Sequence, residues 1–267
     1  MPALAGVVGW PVAHSRSPEM QNAAFHATGL DWRYLRLPVA PERFEETVRA
    51  LPGSGYRGVN VTIPHKLSAL DLADDASAAA TAIGAANTLT FADGRIAAEN
   101  TDAGGFLDAL GRDAEGLRAL VLGAGGAGRA VCWALREAGA ADVAVWNRTG
   151  ERARALAEEL GVRHAEQPGA ADLLVNATSV GLAGEAESAA LEALGLAAAD
   201  PPPLVVDLVY GGAETPVVSW ASRSGAETVD GLEVLVRQGA RSFALWTGRE
   251  APLAAMRTAA REGRGAG

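Results

Sequence analysis

Lysine is nearly absent from this chain of 267 residues. Of its 23 basic residues 22 are arginine, and Lys66 stands alone. A bias toward arginine explains the many but not the exception. A group that must gain and lose a proton is a reason to keep a lysine, because arginine effectively cannot. Cysteine is equally scarce, and the single Cys132 excludes an intramolecular disulfide and any cysteine-rich zinc site. The four histidines show no metal-ligand spacing, so no metal is expected. No stretch approaches the roughly 18 apolar residues of a spanning helix, and the N-terminus lacks a basic segment followed by an apolar stretch and a cleavage site. The cytoplasm is therefore the expected compartment, with no membrane partner. A net charge of −9 argues against nucleic acid, whose binding surface normally needs clustered Lys and Arg, and leaves a small molecule as the expected ligand.

What is present is an ordinary globular composition, 49% hydrophobic and 21% charged, in a chain long enough for two modest domains with a core each. Residues 4–9 (LAGVVG) predict a buried strand. Ser17-Pro18 predicts a helix to about Thr28, with serine as N-cap and proline at the first helical position. The order repeats: a strand at 32–39, a helix from Pro41 to Leu51 and a strand at 58–62. Strands at 87–91 and 95–100 flank Asp93-Gly94, a strong hairpin turn pair. After a short helix at 104–112 come strands at 118–122, 141–147, 172–178 and 204–210, with helices after the first two. The alanine-rich 183–203 predicts a peripheral helix and a loop, Gly231 opens a helix to about Trp246, and 252–262 predicts a last helix packing back on the first domain. The fold class is α/β, with a doubly wound second half.

Gly123, Gly125 and Gly128 satisfy G-x-G-x-x-G between an apolar strand and a helix start, the context that a dinucleotide site of Rossmann type requires. Such a turn brings backbone N–H groups, here of Gly123, Ala124, Gly125, Gly126 and Ala127, close to a pyrophosphate at a helix N-terminus. An NAD enzyme usually carries Asp or Glu at the end of the next strand, where this chain has Asn147-Arg148-Thr149. A carboxylate would repel a 2′-phosphate. Arg148 can pair with one, Asn147 and Thr149 can donate hydrogen bonds, and Arg152 one turn on can add charge or stack on adenine, so NADP is the expected cofactor. Cys132 falls on the apolar helix face and is expected in the core.

Four polar clusters stand at element ends: Ser15-Arg16-Ser17, Asn60 to Lys66, Ala86-Asn87-Thr88 and Asn100-Thr101-Asp102. Together they suit a small ligand bearing a carboxylate and several hydroxyls. Individually each has a plainer reading, since Ser17 and Asp102 could cap helices and Asn60 and Thr62 precede a proline.

With these motifs in view the chain resembles the shikimate dehydrogenase family nearly end to end. The agreement runs in order through S-R-S at 15–17, G-x-N-V-T-x-P-x-K at 58–66, A-N-T at 86–88, N-T-D-x-x-G at 100–105, G-A-G-G-A-G at 123–128 and N-R-T at 147–149. It continues through N-A-T-S-x-G at 176–181, D-x-x-Y at 207–210 and G-x-x-x-L-x-x-Q at 231–238. The resemblance implies reversible NADPH-dependent reduction of 3-dehydroshikimate to shikimate, in aromatic amino acid biosynthesis. It implies a substrate-binding domain over 1–102, completed by 239–267, an NADP-binding domain over 103–238, and an active-site cleft between them. It assigns Ser15, Ser17 and Tyr210 to the substrate carboxylate and Thr62, Asn87, Asp102 and Gln238 to its hydroxyls. Lys66, with Asp102 beside it, becomes the proton donor and acceptor, and Leu208 and Gly231 lie near the nicotinamide. The chain departs from the family pattern at Gln21, Leu208 and Gly212. Alternatives are a quinate/shikimate dehydrogenase of broader specificity, a non-catalytic NADP-binding sensor, for which Lys66 and Asp102 would have no use, and an NADP enzyme of folate metabolism, which gives no reason for the Ser15, Ser17 and Asn87 clusters. Apolar helix faces could meet each other or another chain, which leaves a homodimer open.

Overall fold

Strands and helices alternate as the apolar runs imply, in a computed structural model that describes residues 2–211 and 214–263. Gly212 and the last four residues of the 239–267 segment lie outside the described residues. The chain divides into two compact units, residues 1–105 with 235–267 and residues 106–234.

The first unit is built from β1 (Ala3–Gly9), α1 (Ser17–Ala27), β2 (Trp32–Pro38), α2 (Phe44–Ala50), β3 (Tyr56–Val61), α3 (Lys66–Asp71), β4 (Asp75–Ala76), α4 (Ala78–Ile83), β5 (Thr88–Ala92), β6 (Arg95–Glu99) and α5 (Thr101–Leu110), the last of which runs on past its boundary. The sheet order is β2-β1-β3-β5-β6-β4. β1 pairs in parallel with β2 and β3, while β5 runs antiparallel to β3 and to β6. Asp93 and Gly94 take φ of 51° and 74°, the paired left-handed geometry of a tight hairpin. Two expectations change locally. Pro41 opens a single 3-10 turn before α2 rather than a helix to Leu51. Ser17 is the first residue of α1 and not its cap, because the helical ladder already starts at Arg16, whose carbonyl accepts the Met20 N–H at 3.2 Å.

The second unit contains β7 (Arg118–Leu122), α6 (Gly126–Glu137), β8 (Asp142–Trp146), α7 (Gly150–Leu160), β9 (Arg163–His164), β10 (Leu173–Asn176), α8 (Glu187–Ala193), β11 (Leu204–Asp207), α9 (Pro216–Arg223) and β12 (Glu227–Val229). Every pairing is parallel, in the order β12-β11-β10-β7-β8-β9. This is the doubly wound dinucleotide-binding order, and the glycine turn follows β7, where the strand order reverses. Near-continuous apolar strands suit a sheet covered on both faces: Leu120, Leu122, Leu174 and Val205 pack with Trp220 and Leu191 in one core. Cys132 sits fully buried on α6, and burial pushes its thiol up to about 12, which makes it an inert packing group.

Beyond β12 the chain returns to the first unit through α10 (Gly231–Thr247) and α11 (Leu253–Glu262). Gln238 therefore belongs to the same unit as Asn87, not to the nucleotide unit. The return is fastened by buried side chains. Arg16 donates to the Ala260 carbonyl at 3.0 Å, Gln21 to the Gly239 carbonyl at 2.9 Å, and Phe25 stacks on Phe243 at 5.6 Å.

Candidate functional site

In the first unit, Lys66 opens α3 just after β3, Asn87 immediately precedes β5, and Asp102 is the second residue of α5. Because β3 and β5 are antiparallel, with Asn60 opposite Thr88, the end of one and the start of the other meet at one sheet end. Lys66 Nζ donates to Asp102 Oδ2 at 2.5 Å, and Asn87 Nδ2 donates to Asp102 Oδ1 at 2.8 Å. Both charged side chains keep some exposure, 13% and 18%, so a ligand can reach them. The Asn87 amide has one possible orientation. Its Oδ1 accepts the Thr101 backbone N–H at 2.7 Å, and since a backbone N–H can only donate, Nδ2 must face the carboxylate. Gln238 Oε1 lies 3.3 Å from the same Nδ2. Asp102 does not cap α5, because Asn100 Oδ1 receives the Ala103 N–H.

Behind this group lies a polar network that the sequence patterns do not reveal. Tyr34 donates to Asn60 Oδ1 at 2.7 Å, and Asn60 Nδ2 reaches the hydroxyls of Ser242 and Thr88 at 2.8 and 3.0 Å. Ser242 also lies within 3.2 Å of Thr101. Gln238 and Ser242 are four residues apart, a spacing that puts both on one face of α10, and that spacing is the only local signal that could have flagged Ser242.

Ser15 and Ser17 form a second group, on the segment after β1. Both are buried, and the Ser15 carbonyl is held by the Arg36 guanidinium at 2.6 Å, itself paired with Glu19. Thr62 lies between the two groups in sequence, packed so closely on Gly9 that a side chain there would meet its Cγ2 at 2.4 Å. Tyr210, Leu208 and Gly231 belong to the other unit.

There the three glycines divide their work. Gly123 takes φ of +110°, where a side chain would be strained, and Gly128 approaches the Gly123 carbonyl so closely that a Cβ would sit 1.9 Å from its oxygen. Gly125 has an ordinary φ of −90° and open space around its Cβ direction, so neither backbone nor packing demands glycine. That leaves the main chain open to close approach, and the N-terminus of α6 beside Ala124, Gly126 and Ala127 could hold a pyrophosphate there. Asn147 ties this turn to the next one, accepting the Ala124 N–H at 3.3 Å and donating to the Thr149 carbonyl at 3.0 Å. Thr149 precedes α7 without capping it by its side chain, which leaves its hydroxyl for another acceptor. Arg148 and Arg152 are exposed and form no ion pair among the described residues, whereas Arg118, Arg129 and Arg163 of the same unit are paired with Asp172, Glu159 and Asp142.

Profiles of known families match three stretches of the chain: a shikimate dehydrogenase substrate binding domain at 7–89, a shikimate / quinate 5-dehydrogenase domain at 108–208 and a shikimate 5′-dehydrogenase C-terminal domain at 231–261. The shikimate dehydrogenase (NADP(+)) of Anaeromyxobacter dehalogenans is 46% identical over 282 residues, covering 98% of this chain and 97% of that protein. The chain belongs to the shikimate dehydrogenase family. Two solved relatives agree in fold. The shikimate 5-dehydrogenase of Thermus thermophilus, crystallised with NADP(H) and shikimate, is 43% identical, with a TM-score of 0.84 over 97% of this chain and 98% of that one. The shikimate dehydrogenase of Aquifex aeolicus is 36% identical, with a TM-score of 0.90 over 98% of both. Of the positions where this chain departs from the family pattern, Gln21 is fully buried on α1 against α10, and Leu208 is half-buried just after β11.

One carboxyl in the nucleotide unit is perturbed for a clear reason. Asp207 is fully buried at the end of β11, and burial pushes it up to about 6 despite hydrogen bonds from Thr215, Val209 and Asn176. Its proton is bound more tightly in the folded chain than in the unfolded one, where a carboxyl titrates near 3.8. The stability this contributes is complete below the unfolded value and is lost as pH rises toward 6. The unfolding free energy of the native chain, less that of Asp207→Asn, is expected to fall by about 2 kcal/mol between pH 4 and pH 7. Urea unfolding of both proteins across that range checks this, and parallel curves would contradict the assignment.

Proposed function

We infer that this chain catalyses the reversible NADPH-dependent reduction of 3-dehydroshikimate to shikimate. The observation that carries the reading is the oriented Lys66–Asp102–Asn87 group, in which an ammonium, a carboxylate and an amide converge at one end of the first sheet. When bound, the reduced nicotinamide supplies a hydride to the carbonyl carbon. The glycine turn would hold its pyrophosphate and Arg148, Thr149 and Arg152 its 2′-phosphate end, with Leu208 and Gly231 the residues that would serve the nicotinamide. Lys66 donates a hydrogen bond to the reacting carbonyl oxygen, stabilises the charge that develops there and passes its proton to it. In the reverse direction it accepts the hydroxyl proton. Asp102 and Asn87 take hydroxyl groups of the ring, with Thr62 and Gln238, and Asp102 also keeps Lys66 in place. Ser15, Ser17 and Tyr210 bind the substrate carboxylate. The domain roles follow: residues 1–105 with 235–267 carry the substrate and residues 106–234 the cofactor. The enzyme acts in the cytoplasm, and a homodimer is compatible with its apolar helix faces.

The test is NADPH oxidation at 340 nm with 3-dehydroshikimate, repeated with NADH and run in reverse with shikimate and with quinate. Rapid reduction of 3-dehydroshikimate with NADPH, slow reduction with NADH, and in reverse rapid oxidation of shikimate by NADP+ with little oxidation of quinate, is the expected result. Comparable use of quinate would move the chain to the broader-specificity reading, and NADPH binding without turnover of either acid would favour a sensor.

A further inference from the structure

Asn176 and Asp207 take no part in the chemistry above, yet each ends a strand at the centre of the nucleotide unit, and both are completely buried. They are partners in register across β10 and β11. Asn176 Nδ2 donates to Asp207 Oδ1 at 2.9 Å, the Val209 N–H donates to the same oxygen at 3.0 Å, and the Thr215 hydroxyl donates to Oδ2 at 2.5 Å. Thr215 is in turn the N-cap of α9, accepting the Val218 N–H. On its other side Asn176 fixes the next turn, because its Oδ1 accepts from the N–H and hydroxyl of Thr178 at 3.1 and 2.7 Å.

These turns press on the cofactor-side glycines. A side chain at Gly123 would meet the Ala177 carbonyl group at 2.9 Å, and one at Gly231 would meet the Leu208 and Val209 carbonyl oxygens at 2.6 Å. The carboxylate of Asp207 thus joins the 176–181 segment, which packs on the glycine turn, to the 207–211 segment, which packs on the start of α10. Three donors converge on it, and an asparagine in its place would keep Oδ1 for Asn176 and Val209 but turn Nδ2 toward Thr215, whose hydroxyl would have to accept and whose buried proton would lose its carboxylate.

We propose that Asp207 is a positioning residue, whose carboxylate locks the 176–181 and 207–211 segments into one frame against the glycine turn and so sets where Leu208 and Tyr210 stand toward nicotinamide and substrate. The proposal rests on the dehydrogenase reading above. Its effect is confined to the nicotinamide end, because the residues that would hold the 2′-phosphate follow β8, on the far side of β7 from β10 and β11.

The experiment compares the unmodified chain with Asp207→Asn, Thr215→Val and Thr215→Ser, measuring kcat with NADPH, the Kd of NADPH and the Kd of 2′,5′-ADP, which carries the adenine end and no nicotinamide. Displacement of a reacting group by about an ångström lowers turnover on the order of 100-fold, so Asp207→Asn is expected to lose roughly 10- to 100-fold in kcat. It is also expected to weaken NADPH while leaving 2′,5′-ADP unchanged. Thr215→Val shares the direction of loss, and Thr215→Ser, which keeps the hydroxyl, retains turnover. Undiminished kcat in Asp207→Asn overturns the proposal, as does an equal weakening of NADPH and 2′,5′-ADP, the signature of a loosened domain. Should the unmodified chain fail to reduce 3-dehydroshikimate, the proposed function falls, while the split between NADPH and 2′,5′-ADP still decides the role of Asp207.

Discussion

Lys66→Ala is expected to fold and to bind NADPH as the parent does, and to lose roughly 10²- to 10⁴-fold in kcat, the range that general acid–base catalysis supplies. Folding survives because the part of Lys66 that the scaffold uses is its carbonyl, which accepts the Ala86 N–H at 2.8 Å and is untouched by the substitution. The side chain stands partly exposed against Asp102, and a carboxylate that loses one partner there keeps Asn87 Nδ2 and gains water. Turnover fails because no other side chain of the group can release a proton to the forming alkoxide: Asn87 and Gln238 are amides, and Asp102 is the acceptor of the pair. Lys66→Arg separates two roles. It keeps a positive charge and a hydrogen bond for Asp102 but cannot give up a proton at working pH. If Lys66 only neutralised Asp102, the arginine variant would recover most of the activity. The expected result is that it recovers little, with circular dichroism and NADPH fluorescence unchanged. Turnover above about a tenth of the parent's in Lys66→Arg would remove proton transfer from the assignment, since arginine is effectively always protonated.

Much of this was legible in the chain because the signals are local. A strand of apolar residues, a glycine turn and an amphipathic helix stand consecutively between Arg118 and Glu137, and Asp93-Gly94 names its own hairpin. The elements that escaped are those with no period to read. β4 and β9 have two residues each, and α9 is announced only by the capping pair Thr215-Pro216. Strand ends overshot for a specific reason. Asn176 and Asp207 look like ordinary polar strand residues, yet each side chain accepts the backbone N–H two residues on and turns the chain out of the sheet. At the site, Lys66, Asn87 and Asp102 were legible as residues, and the sheet explains how they meet. What supports them was not. The Asn60–Ser242 hydrogen bond spans 182 positions, and no pattern on either side encodes it. The expected boundaries at 102/103 and 238/239 fall a few residues from the observed ones because the chain crosses inside α5 and α10, where continuous helices carry no linker composition.

Arg148→Ala is expected to erase most of the preference for NADPH over NADH without touching the chemical step. Its guanidinium is exposed and makes no ion pair among the described residues, so its removal leaves no buried charge stranded, and stability should move by no more than about 0.5 kcal/mol. A hydrogen bond to a charged group is worth about 1.5–3 kcal/mol, so KM for NADPH should rise roughly 10- to 150-fold. KM for NADH, which lacks the 2′-phosphate, should stay where it is or fall. Arg148→Lys keeps the charge but loses the planar, two-pronged geometry, and belongs between the two. Arg152→Ala tests the neighbouring position, one helical turn further along α7, and the smaller effect is expected there. Salt provides an independent check, since an exposed ion pair is screened: raising ionic strength should weaken NADPH binding in the parent and much less in Arg148→Ala. If kcat/KM for NADPH and NADH instead fall together in Arg148→Ala, the arginine supports the turn between β8 and α7 rather than reading the phosphate. Cofactor choice would then have to lie with Thr149 and with Asn147, whose amide already bridges Ala124 and the Thr149 carbonyl.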